Sequence, residues 1–192
     1  IGAALTVYCT SMIYASLKSI PAWTNELVSP LYLVLGLATG GLILDALLHI
    51  FDTPIAGVSV LCILALITGA LLKRRYWQEI DAAPRETDLA SATGLGQIGK
   101  VRVLDNPHTS KNYLQQEMGY RVARKHALKL RRIATVALFI LPIILLGLAL
   151  AFPAIALAAT VLAVVAACVG IVTERWLFFA EAKHVVMTYY EG

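Results

Sequence analysis

Five residues able to do chemistry crowd the end of the last long apolar run: Glu174, Arg175, Glu181, Lys183 and His184. Glu181 and His184 stand three apart, and Glu174 and Glu181 seven apart, so each pair shares a helix face. One reading is a solvated, internally paired helix end. The other is a polar mouth whose donors hold a ligand oxygen while a titratable group moves its proton, a task that suits His. Ser11, Tyr14 and Lys18 end the first apolar run and complete a candidate pocket of Ser11, Tyr14, Lys18, Arg175, Glu181 and His184.

Other candidates are weaker. Asp45 and His49, four apart, are either a proton-handling pair inside an apolar helix or a pair at its far interface touching water; their nearness to Asp52 favours the second. His49 is the only His inside an apolar run, so a haem held by two helical His ligands is not available here. Cys9, Cys62 and Cys168 lack C-x-x-C spacing, which excludes an iron–sulfur cluster held by this chain alone and leaves small buried residues. Gly94-Leu95-Gly96-Gln97-Ile98-Gly99-Lys100 fits G-x-G-x-x-G, and fits a P-loop up to Val101, where magnesium binding needs Ser or Thr. No strand precedes it, so it reads as a loop.

The elements that position these residues are apolar runs. Hydrophobic residues make up 59% of the 192 and charged residues 15%, with a mean hydropathy of +0.75. Soluble domains carry about 25% charge, so this is an all-α integral membrane protein. Nucleic acid is not an implied partner; the net charge of +4 is better explained by orientation in the lipid membrane. Five transmembrane helices are expected: Ile1 to about Leu17, Leu31–Phe51, Ile55–Leu72, Ile133–Ala151 and Ala154–Thr173. Three organisational units follow, at 1–72, 73–132 and 133–192. Gly36-x-x-x-Gly40 predicts close helix contact. Pro142 predicts a kink. The chain opens at Ile1 inside an apolar run with no signal-peptide pattern, and further helices are expected upstream.

The middle unit, residues 73–132, holds 13 of the 16 Lys and Arg but only 6 of the 12 Asp and Glu. Lys73-Arg74-Arg75 reads as the membrane boundary of the third span. Thr109–Arg132 reads as an amphipathic basic helix continuous with the fourth span. Alternating five spans puts every Lys and Arg on one face. That face, with the large loop and the C-terminus, is expected to be cytoplasmic. In such a protein the ligand suited to the polar mouth is a quinone head group.

Four stretches carry a resemblance. They are Thr10–Lys18 with Pro21-Ala22-Trp23; Tyr32–Gly40; Met118–His126; and Glu174–His184, the last being the most specific. Together they resemble the DMSO reductase membrane-anchor family (DmsC type), with sulfite dehydrogenase anchors the nearest in character. The resemblance implies an eight-helix anchor without haem, of which these spans are the last five. It implies a bacterial inner-membrane subunit, itself non-catalytic, that docks an iron–sulfur subunit and a molybdopterin catalytic subunit. It also implies electron exchange with ubiquinone or menaquinone. The one-sided charge favours sulfite oxidation, whose soluble subunits would be cytoplasmic, over a quinol-oxidising DMSO reductase complex. A small-solute transporter is the competing class; no inverted repeat supports it.

Overall fold

The apolar runs fold into helices, and no strand occurs among the described residues. The computed structural model describes residues 1–82, 90, 93–102, 104 and 124–185. α1 spans Gly2–Ala15, α2 Val28–Ile50 and α3 Ala56–Ala82. α4 spans Ala127–Ala151, and α5 spans Ala156–Ala180 behind a 3-10 turn at Pro153–Ile155. α2 to α5 are each long and apolar enough to cross a bilayer. The shortest of them, α2 with 23 residues, reaches ~35 Å against ~30 Å of hydrocarbon. α1 is apolar and has 14 described helical residues. Leu37, Leu61 and Val172 turn outward at 68%, 66% and 69% exposure, as side chains facing lipid do. The protein is an all-α, multi-pass membrane protein.

Two boundaries differ from expectation. α3 does not stop at Lys73 but runs on to Ala82. α4 starts at Ala127, six residues before Ile133, so Lys129, Arg131 and Arg132 lie within it. Lys and Arg are good helix formers, and a helix that leaves the hydrocarbon has no reason to end there. Of the expected basic helix at 109–132, residues 109–123 lie outside the described residues. Its join to the span is interrupted at His126, which caps α4 with a non-helical backbone.

The buried residues keep a strict phase. On α2 they are Val28, Leu31, Leu35, Ala38, Leu42 and Asp45, with Ala46 beside the last; on α3, Ser59, Cys62, Leu66, Gly69, Lys73 and Tyr76, with Ala65 beside Leu66. On α5 they include Ala163, Ala167, Gly170, Glu174 and Leu177. Spacings alternate between three and four, the seam of helices packed with a small left-handed crossing. α2 packs on α1, α3 and α5, and α4 packs on α3 and α5. Leu35, Leu42, Leu66, Leu138, Phe139, Leu146 and Ala163 form the core.

Three local features set these contacts. Asp52 takes a left-handed φ of 53° just past α2, and Pro54 follows, so the α2–α3 connection is tight. Pro142 has no N–H for the preceding turn, and Val136–Ile140 widens into a π turn before it. Gly170 meets that turn: a Cβ there would lie 2.4 Å from the Leu138 backbone nitrogen. Of the contacts expected at Gly36 and Gly40, the first is present, with a Cβ at Gly36 lying 3.7 Å from Val7 of α1, and the second is not. Gly40 has nothing within 4 Å of an added Cβ, whereas a Cβ added at Gly41 would lie 2.7 Å from Cys62 Sγ.

Candidate functional site

The charged ends of all five helices meet at one end of the bundle. Asn25 donates to Glu79 at 2.8 Å, and the Tyr76 hydroxyl to the Ala22 carbonyl at 3.0 Å. The Val185 amide donates to the Ser19 carbonyl at 2.9 Å. Arg131 on α4 forks onto Asp81 at 2.6 and 2.9 Å and reaches Glu181 at 2.7 Å. Arg124 donates to the carbonyls of Ala180 and Ala182, where α5 ends and its last acceptors lack helical partners. A cation at a helix C-terminus is favourable.

Just inside this end lies a buried charge cluster. Lys73 on α3 forms an ion pair with Glu174 on α5; the side chains are 1% and 0% exposed. Arg175 pairs with the other Glu174 oxygen. The cations also rest on aromatic faces. Lys73 Nζ lies 4.3 Å from the Tyr76 ring centre, and the Arg175 guanidinium 4.5 Å from that of Tyr32 and 5.0 Å from that of Phe178. Two cations around one carboxylate, with ring faces on the remaining sides, offset part of the desolvation a bilayer interior imposes.

A narrow cleft lies between these groups, lined by Val28, Leu31, Tyr32, Lys73, Tyr76, Arg175 and Phe178, with no room for a water molecule between the side chains as they stand. Its walls are apolar and aromatic, and its donors are a phenol, a guanidinium and an ammonium. Ligand pockets usually begin near about 300 Å³, so a ring enters here only if these side chains move apart. Tyr14, Trp23, Tyr32, Phe178 and Phe179 pack edge-on or stacked beside it, with centroids 5.2–6.0 Å apart. Trp23 Nε1 donates to the Phe178 carbonyl at 3.0 Å, which holds the α1–α2 loop over this cluster.

The six pocket residues expected from sequence are divided by the structure. Arg175 lines the cleft, and Tyr14 sits in the aromatic cluster behind it. Glu181 lies outside the lining, a tenth exposed and tied to Arg131. Burial raises its carboxyl above the usual range, against the pull of Arg131. Ser11 is buried against Ser29 of α2 at 2.9 Å, in the α1–α2 seam. Lys18 is exposed in the loop after α1, and His184 is half-buried beyond α5. The helix end is therefore not a solvated one, since Glu174 is fully enclosed.

The sequence reading missed Lys73, Tyr32, Tyr76 and Phe178. A signal existed. Lys73 falls on the phase that runs through Ser59, Cys62, Leu66 and Gly69, and that phase points inward.

Asp45 is also a correction. It does not touch water but is wholly buried between α2 and α3, accepting from the Ser59 hydroxyl at 2.8 Å. His49 Nδ1 lies 2.9 Å from the Asp45 carbonyl. Thirteen residues along α2, ~20 Å, separate this pair from Tyr32 and the cleft. The glycine-rich stretch forms only a 3-10 turn at Leu95–Gln97 with exposed flanks.

The chain matches known proteins over nearly its whole length. It is 24% identical over 185 residues to a sulfite dehydrogenase subunit of Allochromatium vinosum, covering 96% of this chain and 56% of that relative. The chain thus spans a little over half the length of the curated relative it matches. No solved structure matches it. The model of the DMSO reductase anchor subunit family (DmsC) matches residues 1–180, and the chain belongs to that family.

Proposed function

We propose that this chain anchors a molybdopterin oxidoreductase on the membrane, docks its iron–sulfur subunit at the charged end of the bundle, and exchanges electrons with the quinone pool. The observation that carries the quinone part is the lining itself: Tyr32, Lys73 and Arg175 bring three donors together among aromatic rings inside an apolar bundle. When bound, a quinone supplies a two-electron, two-proton couple soluble in lipid. Arg175 and Tyr32 would hold one carbonyl oxygen and Lys73 the other, between the rings of Tyr76 and Phe178. The ion pair with Glu174 holds the Lys73 ammonium in position.

Sulfite oxidation is the reaction the name of the Allochromatium relative suggests. The Lys and Arg gathered at one end support a cytoplasmic docking face, in the inner membrane of a bacterium. Electrons then run from sulfite through molybdenum and the clusters to quinone.

The test is extraction of the full-length protein from native membranes under conditions that keep complexes intact, with metal assay of what co-purifies. Molybdenum with abundant iron is expected. A metal-free, partnerless protein would contradict the reading and favour a transporter. Loss of sulfite-dependent quinone reduction in membranes lacking the chain is expected; loss of DMSO reduction alone would move the assignment to a quinol-oxidising complex.

A further inference from the structure

We infer that Glu181 is the proton relay between water and the buried Lys73–Glu174 pair. The inference rests on the quinone reading above and adds the route its protons take.

Chemistry at a quinone oxygen moves one proton for each electron, yet the two members of the buried pair are closed off from water. Lys73 and Glu174 are 1% and 0% exposed, so neither exchanges protons with bulk solvent directly. Away from the charged end the bundle is filled by Leu35, Leu42, Leu66, Leu138 and Phe139. The next buried carboxyl in that direction, Asp45, stands ~20 Å along the helix. A proton has no foothold across that core.

Toward the charged end the footholds are graded. Glu181 follows Glu174 by seven residues, two turns along the same face, ~10 Å. Exposure climbs from Glu174 at 0% to Glu181 at 10% and Asp81 at 57%. Arg131 binds both outer carboxylates, at 2.7 Å for Glu181 and 2.6 Å for Asp81. Guanidinium does not deprotonate, so Arg131 fixes the two acids and carries nothing itself. Trp77 bridges the inner and outer groups. Its ring centre lies 5.1 Å from Lys73 Nζ and 5.3 Å from the Arg131 guanidinium. Its indole N–H is buried with no hydrogen-bond partner among the described residues, a donor midway along the route.

The groups that act on the Glu181 carboxyl are Arg131 from α4 and Lys73 and Asp81 from α3. Arg124 sits on the flanking carbonyls of Ala180 and Ala182, and Lys183 and His184 follow in the chain. Burial outweighs the cations and lifts the carboxyl above its ordinary range.

The cycle balances. As two electrons pass from the partner's iron–sulfur carrier to the head group, Lys73 gives a proton from Nζ to a head-group oxygen. The neutral amine takes one back from the Glu181 carboxyl by way of water that the Trp77 indole N–H would hold between them, and the carboxylate regains its proton from bulk water beside Asp81. A second pass supplies the second proton, and quinol oxidation runs the same steps in reverse.

The test uses the whole complex in its membrane. Glu181→Gln keeps the size of the side chain and an acceptor for Arg131 but holds no exchangeable acid. Quinone turnover should fall at least about tenfold, with an unchanged KM for quinone and unchanged activity toward a soluble dye that bypasses the anchor. Glu181→Asp should restore part of the rate. Asp81→Asn, which leaves Glu181 in place, should move the pH limb of turnover to lower pH, because a neighbouring negative charge that favours the protonated acid is gone. If a quinone-analogue inhibitor binds the complex normally while Glu181→Gln turns over at the wild-type rate and pH profile, the relay is overturned and the quinone site stands. An unmoved limb in Asp81→Asn overturns the relay even if Glu181→Gln fails to assemble. If the analogue does not bind the wild-type complex, the quinone site falls, and the relay with it.

Discussion

Lys73 of α3 and Glu174 of α5 form an ion pair inside the bundle, at 1% and 0% exposure, with Arg175 on the second carboxylate oxygen. Removing the carboxylate strands two cations; removing Lys73 still leaves Glu174 with Arg175. Glu174→Leu should therefore cost ~3–5 kcal/mol, the usual loss when a buried pair is broken. Lys73→Met should cost less, and the double variant should recover part of the Glu174→Leu loss. Thermal unfolding in detergent reads the order. A Lys73→Met variant less stable than Glu174→Leu would contradict this account of the cluster.

Gly170 and the π turn at Val136–Ile140 depend on one another. A methyl at 170 meets the Leu138 backbone at 2.4 Å, and backbone cannot rotate away. Gly170→Ala should destabilise the bundle by ~1–3 kcal/mol, as overpacking does. Gly40→Ala, with nothing within 4 Å, should be close to neutral. Equal melting temperatures for the two variants would refute the close α4–α5 approach.

The buried carboxyl of Glu181 gives a pH signature in stability. Burial raises its folded value above the unfolded value of ~4.3. The folded chain then binds that proton more tightly than the unfolded chain, so its contribution is full below about pH 4.3 and fades as pH rises through the folded value. Wild type minus Glu181→Gln should lose stability across that window and level off above it. A difference that grows with pH there would mean the carboxyl is depressed instead.

Orientation follows from the same charge asymmetry. Ile98 is 83% exposed in the large loop. A cysteine at that position, in a background without Cys9, Cys62 and Cys168, should resist an impermeant thiol reagent in intact cells and react once they are opened. Reaction in intact cells would reverse the topology.

Much of this was legible in the sequence, and the failures share one cause. The runs that became α2 to α5 stood out because each is long and apolar, and Glu174 and Arg175 stood out as charges at the exit of the last one. Lys73 was hidden because it begins a basic triplet, which reads as a membrane boundary. Arg74 and Arg75 do face outward. Lys73 differs from them only in helical phase, lying three and four residues from Tyr76 and Gly69 on the inward stripe. Asp45 sits on the same kind of stripe in α2, three residues after Leu42 and seven after Ala38. Phase, rather than distance from the end of the run, decides which charges go inside. The cleft was beyond sequence reasoning because its lining comes from α2, α3 and α5 together.

The most direct measurement is photoaffinity labelling of the intact complex in membranes with a photoreactive quinone, followed by mapping of the modified peptides. Labels should fall on segments carrying Tyr32, Tyr76 or Phe178, and excess natural quinone should compete them away. Arg175→Ala should weaken them about tenfold, the loss of one charge-assisted hydrogen bond. Competable labelling confined to the far end of the bundle, around Asp45 and Ser59, would contradict the cleft as the site of quinone exchange.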